Sequence, residues 1–144
     1  MLDAGEKEAT VAIAALLYEG RSVHMTALVL SLVPLANALA YPSLFAAFAA
    51  ALAMAALVTE TYFAIRTGID AKLFDHLARE DLSAPSTLAD LDRGLKMAGF
   101  AQSHGTRSLA DRIVGTHGLF RRQCIAAAIP IVLALALVIQ VTPI

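Results

Sequence analysis

A chain of 144 residues that is 58% apolar and only 16% charged, with a mean hydropathy of +0.69, does not have the composition of an ordinary water-soluble domain. Its formal charge of −1 gives no electrostatic basis for binding nucleic acid, so no nucleic-acid partner is expected. One cysteine, Cys124, excludes an intramolecular disulfide and a cysteine-based zinc site.

The charge that is present is unevenly placed. No Asp, Glu, Lys or Arg occurs from Ser22 to Thr59, and none from Gln123 onward. The apolar runs 23–41, 43–65 and 124–144 each have roughly 20 residues, enough at about 1.5 Å per residue to cross a hydrocarbon core of about 30 Å. They are continuously apolar and rich in Ala and Leu, where β-barrel strands would alternate in polarity. The expected fold is an all-α integral membrane protein with three transmembrane helices. A tight hairpin and a C-terminal span flank a cytoplasmic amphipathic segment, and residues 1–144 form one membrane domain.

Residues 1–22 hold a cytoplasmic helix over 3–20, with acidic residues near its start and apolar Val11, Ile13, Leu16 and Leu17, ended by Gly20. Asp3, Glu6, Glu8 and Glu19 do not fit a cleavable signal, which opens with a short basic region. The first span, 23–41, carries a stripe at helical spacing: His24, Ala27, Ser31, Pro34 and Ala38. Tyr41-Pro42-Ser43 leaves so little connecting chain that the second span, 43–65, must return as an antiparallel neighbour. Its stripe is Ala46, Ala49, Ala53, Ala56 and Glu60, with Leu44, Phe45, Phe48 and Leu52 opposite. Small residues let membrane helices approach closely, so the two stripes are expected to face each other.

Residues equidistant from Pro42 then share a depth: Ala38 with Ala46, Ser31 with Ala53, and His24 with Glu60. A carboxylate inside the membrane boundary is costly unless it is paired or solvated, so Glu60 and His24 are expected to form an intramembrane polar pair. A pair of this kind fastens helices together in most settings and moves protons or substrates in fewer. The competing partners for Glu60 are Arg21, Arg66 and Arg121.

In the segment 67–123, Ile69, Leu73 and Leu77 recur every four residues, with Phe74 alongside, and extend the second helix to about Glu80, with Gly68 as a bend. After Ser83-Ala84-Pro85-Ser86, the residues Leu88, Leu91 and Leu95 mark the apolar face of a second cap helix. A third begins near Ser108, where Ser108 and Asp111 make a capping pattern, and presents Leu109, Ile113 and Phe120 before it meets the last span. Gly115 and Gly118 weaken that junction, since each disfavours a helix interior by about 1 kcal/mol.

All eleven Lys and Arg residues fall on one side of the three spans. The positive-inside bias makes that side cytoplasmic, with the N-terminus inside, the C-terminus outside and the bacterial inner membrane as location. Arg21, Arg66, Arg121 and Arg122 are the interface anchors. No nucleophile elbow, His-Glu-x-x-His helix, glycine-rich phosphate loop or CxxC is present. The sequence therefore makes no positive case for an enzyme, names no catalytic or metal residue and implies no cofactor. Three spans are few for a solute path, and the apolar cap face needs a cover. The expected function is a small accessory, scaffolding or assembly subunit of a larger membrane complex. Its expected partners are membrane lipids and other membrane subunits or copies of itself. The alternative is an oligomeric transporter or channel using Glu60 and His24.

Overall fold

A computed structural model describes residues 4–79, 93, 97 and 108–141. Its three long helices are α1 (Ala4–Ala40), α2 (Leu44–Arg79) and α3 (Leu109–Val141), and all three pairs pack on one another. Each is long and apolar enough to cross a membrane, as an all-helical integral membrane protein requires. The cap positions Leu88, Leu91 and Leu95 lie outside the described residues.

Local chemistry explains the ends. Pro42 disfavours helical geometry at Tyr41, and α1 closes there with the Tyr41 amide donating to the Asn37 carbonyl at 2.9 Å. Ser43 caps α2: its hydroxyl accepts from the Ala46 amide at 3.1 Å. Ser108 caps α3 in the same way, accepting from the Asp111 amide at 3.1 Å and donating to the Asp111 carboxylate at 2.7 Å. Asp111 also places negative charge at the positive end of the helix dipole.

The expected break at Gly20 is absent. Residues 4–40 form one helix of 37 residues, about 55 Å long. Helix α2 likewise runs through Gly68, and α3 through Gly115 and Gly118. The charged first half of α3 and the last part of α2 are thus extensions of the spans themselves. Long helices amortise the local penalty of a glycine when the packed seam continues across it.

That seam has a period of 3.5 residues. In α1 it runs Thr10, Ile13, Leu17, Gly20, His24, Ala27, Ser31, Pro34, Ala38; all are buried except His24 and Ala38, which are half-buried. In α2 it includes Ala46, Ala49, Ala53, Ala56, Glu60, Thr67 and Phe74, all buried. In α3 it runs Leu109, Ile113, Thr116, Phe120, Gln123, Ala127, Pro130, Ala134, Leu137, with Ile113 and Phe120 partly buried. Alternating three- and four-residue steps are the pattern of knobs-into-holes packing and favour a left-handed supercoil. The seam also sets which face of the α2 extension turns inward: Thr67, Ala71 and Phe74 are fully buried, whereas Ile69 and Leu73 are half-buried. Leu77 lies in α2.

The side chains on the seam change size along the bundle. Toward the Pro42 turn they are Ala, Ser and Pro, while large apolar groups point outward: Leu39 is 78% exposed, Leu44 90% and Phe48 66%. Water would not tolerate such a surface, but lipid is as apolar as leucine and leaves close backbone packing to hold the helices. At the other end, Ile13, Ala14, Leu17, Ala71, Phe74 and Leu109 form a core of larger groups, with Ile113 and Phe120 packed against it. Charged residues surround this half, and burial of each large side chain there stabilises by about 1.5–3 kcal/mol. A membrane-type bundle therefore passes into a water-type bundle without a break in any helix.

Candidate functional site

Between the two halves lies a buried polar layer. Glu60 and Gln123 are both fully buried and Thr67 is nearly so. His24 Nδ1 lies 2.6 Å from Glu60 Oε2. Gln123 Nε2 donates to Glu60 Oε1 at 2.9 Å and to the Gly20 carbonyl at 2.8 Å. The Thr67 hydroxyl donates to Gln123 Oε1 at 2.9 Å, a proton it shares with the Phe63 and Ala64 carbonyls of its own helix. One amide from α3 thus reaches the backbone of α1 and two side chains of α2.

Chemistry fixes the orientation of that amide. Both atoms facing Nε2 are acceptors, a carboxylate oxygen and a carbonyl, and the atom facing Oε1 is a hydroxyl. A flipped amide would set its oxygen against two acceptors. Both N–H groups and the oxygen of Gln123 are therefore satisfied, as a buried amide requires.

Glu60 has a partner at each oxygen, and neither is a Lys or Arg. Arg21, Arg121 and Arg122 are exposed and Arg66 is half-buried. One hydrogen bond joins His24 Nδ1 and Glu60 Oε2, the imidazole donating to a carboxylate as its Nδ1–H tautomer or as imidazolium, or accepting from a carboxylic acid. A hydrogen-bond partner at each oxygen lowers the penalty of placing a carboxyl group in a dry layer. The His24 side chain is 25% exposed, so the pair touches the surface only through the imidazole.

Gly20 has a definite task in this layer. A Cβ built there would lie 3.0 Å from Gln123 Oε1 and 3.6 Å from Phe120. Bare backbone is what lets Gln123 come within hydrogen-bond range of α1. Gly20→Ala should therefore destabilise by about 1 kcal/mol even though Ala is the better helix former, because the amide must shift off its partners. Gly68→Ala meets no atom within 4 Å and should stabilise by up to about 1 kcal/mol. Thermal unfolding in mild detergent measures both; shifts of the same sign would mean that Gly20 makes no tight contact.

Below the layer, Thr116 of α3 donates to Asp70 of α2 at 3.0 Å, a further polar link between these helices. The small-residue positions Ala27, Ser31, Ala46, Ala49, Ala53 and Ala56 are buried and Ala38 is half-buried. Sequence reasoning missed Gln123, Thr67 and Gly20. The signal was present: Gln123 and Gly20 sit three or four residues from seam neighbours on both sides, and Thr67 sits seven residues from both Glu60 and Phe74, so each belongs to the buried face. Gln123 was read as the boundary of an uncharged run, which hid its place on the helix. Comparison with family models, with curated proteins and with solved structures found no match to this chain, so function rests on its own residues.

Proposed function

We propose that this chain is a small accessory, scaffolding or assembly subunit of a larger membrane protein complex. One observation carries the reading: the Glu60 carboxyl is consumed inside the protomer, fully buried and bonded at both oxygens. A group so enclosed fastens three helices and offers no lined path through them. The helices, at about 50–55 Å, also outrun a hydrocarbon core of about 30 Å, so a rigid charged stalk stands on the basic side. A small membrane anchor with a preformed stalk suits the docking of other subunits, and the basic side is the cytoplasmic one by the positive-inside bias.

Native mass spectrometry after mild-detergent extraction tests this. The expected result is a fixed-stoichiometry complex with other membrane proteins; a lone 15.1 kDa species at native abundance would refute it. A second reading, an oligomeric transporter or channel, draws on the partial exposure of His24, which links the buried Glu60 to the surface. It requires ion or solute flux into liposomes holding this protein alone, abolished by Glu60→Gln.

A further inference from the structure

A groove of about 300 Å³ runs between α1 and α2, lined by Tyr18, Arg21, His24, Thr61, Gly68 and Lys72 among others, with no Asp or Glu among its lining residues. Its position is informative. Arg21 and Arg66 are where basic charge first appears on α1 and α2 after the apolar halves, so the groove straddles the level at which lipid phosphates sit. By the depth pairing about Pro42, Arg21 lies level with Phe63, between Thr61 and Ile65, and Lys72 lies further into the charged half. Among the described residues, neither Arg21 nor Lys72 makes an ion pair.

We propose that this groove binds the phosphate headgroup of an anionic phospholipid. Arg21 and Lys72 bracket the groove with two cationic groups for the phosphate, Tyr18 and His24 supply polar hydrogen-bonding groups, and Ala64 and Ile65 form an apolar wall between them. The volume is at the small end of pockets that hold organic ligands, which matches a headgroup and not a whole lipid. Gly68 keeps the groove open: a Cβ there meets nothing within 4 Å, so the space beside α2 exists because no side chain fills it. The proposal is independent of whether the chain assembles with other subunits.

The experiment is native mass spectrometry of the full chain released from nanodiscs of phosphatidylcholine with and without phosphatidylglycerol. One retained phosphatidylglycerol per chain is expected, in preference to phosphatidylcholine. Gly68→Leu leaves every charge in place and fills the groove, so it should cut retention about tenfold while helicity is unchanged. Lys72→Gln should cut retention about fivefold, the factor carried by one basic residue near an anionic surface, and Arg122→Gln, outside the groove, should change it little. Undiminished retention in Gly68→Leu overturns the proposal, as do equal losses in Lys72→Gln and Arg122→Gln, which mean diffuse attraction. Displacement of the lipid by inorganic phosphate alone also overturns it, because the site would then read a free anion.

Discussion

Gln123→Leu is expected to destabilise the folded chain by about 2–4 kcal/mol, read as a lower unfolding midpoint in mild detergent by far-ultraviolet circular dichroism. Leucine is close to glutamine in volume and suits a helix seam, so apolar packing survives the change. What disappears is the pair of N–H groups on Glu60 and on the Gly20 carbonyl. A buried acceptor without a donor costs about 1–3 kcal/mol, and more when it is charged. Hydrogen bonds between membrane helices average only about 0.6 kcal/mol, because the unfolded helices in lipid find other partners. The larger figure applies here because one amide serves three helices and one of its partners is a carboxyl group with no exposed surface. Gln123→Glu should be worse than Gln123→Leu, since it sets a second carboxyl within hydrogen-bond reach of the first. A loss under about 0.5 kcal/mol in Gln123→Leu, the range of ordinary surface substitutions, would show that the network holds nothing together.

The second large effect concerns His24 and Glu60. Glu60→Leu strands the His24 Nδ1 group and should cost about 3 kcal/mol, whereas Glu60→Gln keeps a polar partner for both neighbours and should cost about 1 kcal/mol. His24→Ala leaves Glu60 Oε2 without its partner. The informative measurement is the double-mutant cycle of His24→Ala with Glu60→Leu. Loss of the Gln123 contact is common to both Glu60→Leu backgrounds and cancels, so the cycle isolates the 2.6 Å pair. A coupling of about 1–2 kcal/mol is expected, near the upper end seen between membrane helices because the pair shares a proton. Additive losses would mean that the two groups are neighbours in space without being energetic partners.

Much of the architecture was legible before any coordinates. Lack of charge over 22–59 and from 123 onward marks the membrane halves. Pro42 sets the hairpin, and a tight hairpin forces residues equidistant from the turn to the same depth, which is how His24 and Glu60 come to be considered together. Ser43 and Ser108 mark helix starts because a hydroxyl is what an open helix N-terminus lacks. Glycine misled the reading. Gly20 looked like a helix break because its intrinsic propensity is poor, yet that argument carries only about 1 kcal/mol and the seam on either side outweighs it. The α2 extension also turned differently, with Thr67, Ala71 and Phe74 inward. An amphipathic count sees one solvent face and one core face, whereas a helix between two others has its buried face set by both.

From the sequence alone, the patterning of charge and small residues determined three membrane-length helices, the antiparallel hairpin and the shared depth of His24 and Glu60, because these follow from local spacing and chain connectivity. Only the tertiary structure decided that Gln123 completes the layer. Its partners lie 103 and 63 residues away along the chain, and no local pattern specifies how a third helix is rotated and shifted against the other two. That rotation also decided the role of Gly20: a residue whose missing side chain reads locally as weakness is, once α3 is docked, the space in which three helices are joined.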